Sequence, residues 1–142
     1  MIRTLLTLAA GIGVGVAVTF AADHDYHKAV KVTQLSQRDI TEKIDGKKAK
    51  ATVVEVTFEP GQAGKPHRHA GPVFGYVLEG EYEWAIDDQA AKTLKAGDTF
   101  YEPTGCLHRV SKNPAAKGNT RVLAVVLHPR DARQITIPEP KK

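Results

Sequence analysis

The chain has 142 residues, enough for one domain around a single hydrophobic core. Its hydrophobic content of 42% and charged content of 25% are those of an ordinary globular protein. The net charge of +4 comes from scattered lysines and arginines, with no basic cluster interleaved with aromatics, so no nucleic-acid partner is expected. The single cysteine, Cys106, excludes an internal disulfide.

Residues 1–21 predict a secretory signal peptide. Arg3 gives a positive start, Leu5 to Phe20 is small and apolar, and Ala21-Ala22 precedes a polar sequence. One short apolar run of this kind predicts a cleaved leader, with no stable membrane span afterwards. The expected location is the periplasm or the exterior; the alternative is an uncleaved anchor. A cut after Ala21 starts the mature chain Ala22-Asp23-His24. A free amine with histidine at position three suits square-planar Cu(II) or Ni(II), and the alternative is a terminus without a role.

Residues 22–50 read as an N-terminal segment with one edge strand. Val30 to Leu35 alternates, and Gln37 to Lys50 is polar with a turn at Asp45-Gly46. Ala51 to Phe58 predicts a strand with Val54, Val56 and Phe58 on one face. Val73–Leu78 and Glu81–Asp87 predict a hairpin across Glu79-Gly80, with Tyr82 and Trp84 on a common face. Short strands follow at Thr99–Glu102 and Leu107–Ser111. The apolar run Arg121–Leu127 predicts a strand buried on both faces. Gln134–Ile137 is a closing strand, and residues 129–142 form the C-terminal strand and tail. Beyond the leader no helical periodicity appears, so the fold class is all-β, a sandwich or barrel.

Chemistry concentrates in two stretches. In Gly61–Gly80, GQAGKPHRHAGPVFGYVLEG, His67 and His69 stand two apart. On a strand that spacing turns both imidazoles to one face. Imidazole nitrogen suits Zn, Cu, Fe and Ni; a bare pair in a Gly/Pro-rich loop also fits surface histidines. In the second stretch, Gly97–His108, GDTFYEPTGCLH, His108 stands five residues after Pro103.

Together the stretches resemble the two motifs of the cupin family. Gly61, His67, His69 and Gly80 fall in register with the first motif, and Gly97, Pro103, Gly105 and His108 with the second. The resemblance covers roughly Ala51 to Val126, within an expected domain of residues 51–128, and implies a single-domain double-stranded β-helix, a jelly-roll barrel. It also implies a divalent transition metal, with Fe, Mn, Ni, Cu and Zn not distinguished, held by His67, His69 and His108. Two positions depart from the pattern. The motif glutamate falls on Val73 or Phe74, neither of which binds metal, and the final asparagine falls on Lys112, with Asn113 one place late.

Within a barrel, Phe74, Tyr76, Trp84 and Phe100 are candidate pocket walls, with core packing as the alternative. Glu102 shares strand parity with Phe100. If Phe100 points inward, an inward carboxylate is costly unless paired or metal-bound. Glu102 is therefore the candidate catalytic acid/base, with metal ligand, histidine-orienting group or surface residue as alternatives. Cys106 reads as a packing residue, with an oxidation-sensitive neighbour or minor ligand of the metal as alternatives, and His128 as a strand-end polar residue, with a ligand as the alternative. Arg109 reads as a surface cation, and Lys65 and Arg68 as cations able to steer an anion.

The function the resemblance implies is metal-dependent chemistry on a small organic molecule. A three-histidine set without the motif glutamate looks most like the thiol dioxygenases and related oxygenases. The alternatives are an exported cupin that binds a small molecule or metal without turnover, and a metal-free isomerase-type cupin. A homodimer is implied by the resemblance only.

Overall fold

The computed structural model describes residues 29–140. The expected leader, the Ala22-Asp23-His24 terminus expected from its cleavage and the last two lysines lie outside the described residues. Ten strands form two antiparallel five-stranded sheets, ordered β1-β2-β9-β4-β7 and β10-β3-β8-β5-β6. The strands are β1 (Lys31–Ile44), β2 (Lys47–Phe58), β3 (His67–His69), β4 (Val73–Glu79), β5 (Glu81–Ile86), β6 (Lys92–Lys95), β7 (Thr99–Glu102), β8 (His108–Lys112), β9 (Thr120–Pro129) and β10 (Thr136–Pro138). The all-β jelly-roll class expected from the sequence is what the chain adopts.

The polar stretch after Leu35 is not a connection. β1 continues to Ile44, turns at Asp45-Gly46 with φ of +49° and +74°, and returns as β2 from Lys47. Two consecutive left-handed residues make a tight turn whose twist matches the flanking strands. The pattern hides this strand because β1 is an edge strand with almost every side chain exposed. No face of it alternates between apolar and polar.

The link at Glu79-Gly80 is a corner, not the hairpin expected. β4 pairs with β7 and β9 in one sheet, while β5 pairs with β6 and β8 in the other. Gly80 turns the chain between sheets with φ of +76°, and a Cβ there would lie 2.5 Å from the Asn119 carbonyl oxygen. β9 lies between β2 and β4. One of its faces (Val122, Ala124, Val126, His128) is buried, and the other (Arg121, Leu123, Val125, Leu127) only half so. Burial on both faces is therefore not reached.

One apolar cluster joins the two sheets, and a second lies on the inner face of the first sheet. One holds Phe58, Val77, Tyr82, Trp84, Ile86, Phe100 and Val122; the other holds Val54, Val73, Ala124 and Val126. Phe74 and Tyr76, expected as pocket walls, point outward and are 53% and 42% exposed. Every residue of Val73–Leu78 except Gly75 is apolar or aromatic, so composition does not set which face is inside. Gly75 does, because the Phe100 ring occupies the place its side chain would need.

Candidate metal centre

β3 is three residues long and is held from both sides. His67 pairs with His108 of β8, and β10 pairs with all three β3 residues. The i, i+2 spacing turns both imidazoles to one face, where β8 delivers the third. One donor atom from each of His67, His69 and His108 lies within 4.8 Å of the others.

Backbone carbonyls orient the first two rings. Nδ1 of His67 lies 2.7 Å from the Lys65 carbonyl oxygen, and Nδ1 of His69 lies 3.0 Å from that of Ile135. A carbonyl only accepts, so each Nδ1 carries the proton and donates it. In neutral rings both Nε2 atoms then present lone pairs, and they stand 3.1 Å apart. Two lone pairs at that distance repel unless a cation lies beside both.

His108 is buried, with Nδ1 3.1 Å from Glu102 Oε1 and Nε2 3.3 Å from the Tyr82 hydroxyl. Burial, reinforced by the neighbouring histidines, lowers its pKa to about 3; burial and His67 lower that of His69 to about 4. Both rings are neutral near pH 7, the protonation state that binds metal.

Glu102 is where strand parity puts it. Phe100 and Glu102 are buried while Thr99 and Tyr101 are exposed. The Glu102 side chain is 1% exposed. Trp84 Nε1–H donates to Oε1 at 3.0 Å. Oε2 is buried without a hydrogen-bond partner and lies 3.6 Å from His69 Nε2. Burial raises the carboxyl pKa to about 7, against the lowering effect of the Trp84 bond. Because the adjoining imidazoles are neutral, these contacts are not ion pairs at that pH.

A cavity of about 990 Å³ opens over this cluster. Val54, Val56, Phe58, Phe100, Val122 and Ile135 are among its apolar walls, and the three histidines, Glu102 and Tyr82 supply polar groups. The donor set fits a first-row divalent ion. Ligands bound at about 2.0–2.2 Å sit roughly 3.0–3.5 Å from one another, which the His67–His69 Nε2 separation of 3.1 Å meets and the His69 Nε2–Glu102 Oε2 separation of 3.6 Å approaches, while the three-histidine set, spread to 4.8 Å, would draw together around the ion. His67, His69 and His108 would hold the ion, with Glu102 beside it.

The other sequence candidates separate. Phe100 lines the cavity, whereas Trp84 is buried against Phe100 and serves the site through Glu102. Cys106 packs partly buried against the core, which raises its thiol pKa to about 11, and it is not in the histidine cluster. His128 is buried away from the cluster, bonded to Thr52 Oγ1 at 2.9 Å and the Pro129 carbonyl oxygen at 2.9 Å. Arg109 is exposed and donates to the Asp87 and Gln89 carbonyls. Lys65 lines the cavity, but Arg68 is engaged by Glu139 and the Gly105 carbonyl. Asn113, one place late for its motif, is fully buried and ties together the Phe58 and Gly118 carbonyls and the Ala115 amide.

Sequence reasoning missed Tyr82 as a site residue. It assigned the inward face correctly, but a core aromatic and a hydroxyl aimed at His108 read alike. The carbonyls of Lys65 and Ile135 leave no sequence signal at all.

The family model described as a cupin domain matches residues 54–126. No curated protein matches the chain. Among solved structures it is similar to an uncharacterized conserved protein with a double-stranded β-helix domain from Klebsiella pneumoniae subsp. pneumoniae MGH 78578. That match has 20% identity and a TM-score of 0.61, covering 80% of this chain and 87% of the other. It is also similar to KdgF from Halomonas sp., at 23% identity and TM-score 0.56 over 75% and 86% of the two chains. A third match is the DMSP lyase DddQ from Ruegeria pomeroyi DSS-3, at 19% identity and TM-score 0.59 over 83% and 57%. At these identities the likeness is one of fold. With its two motifs, its double-sheet barrel and a family match spanning both histidine segments, the chain belongs to the cupin family.

Proposed function

We propose that this protein is a metal-dependent enzyme that transforms a small organic molecule with a mainly apolar body, with oxygenase chemistry as the reaction class. One observation carries the reading. His67 and His69 have their Nδ1 protons committed to carbonyls and aim two Nε2 lone pairs at one point, beneath a roomy apolar cavity. A structural metal site is closed by protein ligands, whereas a catalytic one keeps positions open. A first-row ion there supplies Lewis acidity and, for a redox-active metal, electron transfer to a bound molecule.

The chain's own residues do the rest. The walls exclude water from the bound molecule and hold it by apolar contact. Tyr82 is buried and its pKa is raised well above the usual phenol value, so it stays protonated, with its hydroxyl 3.3 Å from His108 Nε2. Burial raises the Glu102 carboxyl pKa to about 7 in the metal-free chain, and a cation beside it would hold it ionised as an acceptor at the site. The likeness to thiol dioxygenases rests on a carboxylate missing from the first motif. Here a carboxylate nonetheless stands at the site, so the substrate is not restricted to thiols. The DMSP lyase and KdgF among the structural neighbours support only the statement that this barrel can carry named functions. The 1–21 leader alone supports the further proposal that the protein works outside the cytoplasm.

The test is oxygen uptake by Fe(II)-, Mn(II)-, Ni(II)- and Cu(II)-loaded protein across a panel of small enols, catechols and thiols. Metal content is quantified in parallel. Uptake that disappears on chelation and in a folded His67→Ala variant supports the proposal. Stoichiometric metal with no uptake on any substrate leaves a binding protein instead.

A further inference from the structure

We infer that Glu102 is itself a ligand of the ion, its Oε2 adding a carboxylate donor from β7 to the three imidazoles; the inference rests on the metal reading above. Oε2 is the one buried side-chain oxygen or nitrogen without a hydrogen-bond partner among the described residues. An unsatisfied carboxylate oxygen in an apolar interior is strongly unfavourable, and a cation removes that cost. The other oxygen is already satisfied. Trp84 Nε1–H reaches Oε1 at 3.0 Å and His108 Nδ1 approaches it at 3.1 Å. That arrangement fixes the carboxylate plane and leaves Oε2 facing His69 Nε2 at 3.6 Å.

Charge leads to the same assignment. Three neutral imidazoles leave a divalent ion with its full charge inside an apolar wall. One carboxylate halves that charge. The sheet register shows why β7 can supply it. Glu102 pairs directly with Val73 on β4, and Val73 pairs in turn with Val126 on β9. Both valines are buried and line the cavity. The layer beside the histidines therefore holds a single carboxylate, and moving it one strand sideways to position 73 keeps it in that layer.

Zn(II) is the probe, with affinity measured by competition against a chromophoric chelator. Trp84, the only tryptophan, serves as an internal reporter, because its indole N–H is bonded to Glu102. Zn(II) has a closed shell and does not quench by paramagnetism. The expected result is one Zn(II) per wild-type chain with a change in Trp84 emission. Glu102→Gln should bind at least about 100-fold more weakly, beyond the usual range for loss of a group that only orients a ligand. The exchanged pair Val73→Glu with Glu102→Val should recover affinity to within about tenfold of wild type. Circular dichroism and thermal melting confirm that each variant is folded.

Wild-type affinity in Glu102→Gln would overturn the inference and leave the three-histidine site standing. Weakened binding that the exchanged pair does not restore would also overturn it, assigning Glu102 to positioning His108. No Zn(II) binding by wild type, matched by His67→Ala, would instead remove the metal reading itself.

Discussion

At the scale of single residues the site sets three unusual proton affinities against one another. In metal-free protein, His69 and His108 titrate near 4 and 3, and Glu102 near 7. Between about pH 4.5 and 6.5 the unfolded chain carries two protons on these histidines, while the folded chain carries one on Glu102. The unfolded state thus binds one more proton, and stability rises with pH by about 1.4 kcal/mol per unit. Glu102→Gln removes the folded-state proton, leaves a difference of two, and doubles the slope to about 2.8 kcal/mol per unit. Between pH 6.5 and 7 the unfolded histidines lose their protons too, so the wild-type slope falls to about zero, whereas the variant still gains stability with pH. Urea unfolding of both proteins across pH 4.5–7.5 measures this, and equal slopes would mean that Glu102 is ionised in the folded chain. The sequence revealed Glu102 through a two-residue parity with Phe100 and the three histidines through their spacing. It did not reveal the unpartnered Oε2, which depends on where Trp84 and His108 sit in the second sheet.

At the scale of elements, β4 shows what patterning conveys and what it withholds. The run VFGYVL predicts a strand but not its inner face, because Phe74 and Tyr76 are as apolar as Val73 and Val77. The structure decides through Gly75, whose missing side chain admits the Phe100 ring from β7. Gly75→Ala should therefore overpack the core and cost about 1–3 kcal/mol, the usual range for added methyl volume. Phe100→Leu in the same chain should restore part of that loss, giving a coupling energy of at least about 0.5 kcal/mol in a double-mutant cycle. Strict additivity would mean that the two side chains do not compete for that space. Gly80 is equally visible in the sequence, but its partners are not. A glycine between two strands marks a turn, but whether the strands pair with each other depends on distant partners. β4 finds β9 and β5 finds β8, and no local pattern encodes that choice. The polar half of β1 leaves no pattern for a related reason: a strand held by backbone pairing to β2 needs no apolar face.

At the scale of the molecule, the candidate donors belong to different layers. His67, His69 and His108 stand on β3 and β8 of one sheet, and Glu102 stands on β7, at the edge of the other. Apolar contact and the Trp84–Glu102 hydrogen bond close the sheets at this end, around a large cavity whose walls lack the dense packing of a filled core. An ion bound by all four side chains would tie the sheets together there. An ion at about 100 times its Kd stabilises the folded state by about 2.7 kcal/mol, worth a Tm rise of roughly 10 °C for a domain of this size. A three-histidine ion gives the same rise at equal affinity, so the melting temperature does not tell the two cases apart. Hydrogen exchange does. With a ligand on β7, Zn(II) should slow amide exchange in β7 as well as in β3 and β8, and Glu102→Gln at saturating Zn(II) should keep the protection of β3 and β8 while losing that of β7. Protection confined to β3 and β8 in wild type would place the ion on one sheet, with the two layers joined at that end by the Trp84–Glu102 hydrogen bond and apolar contact.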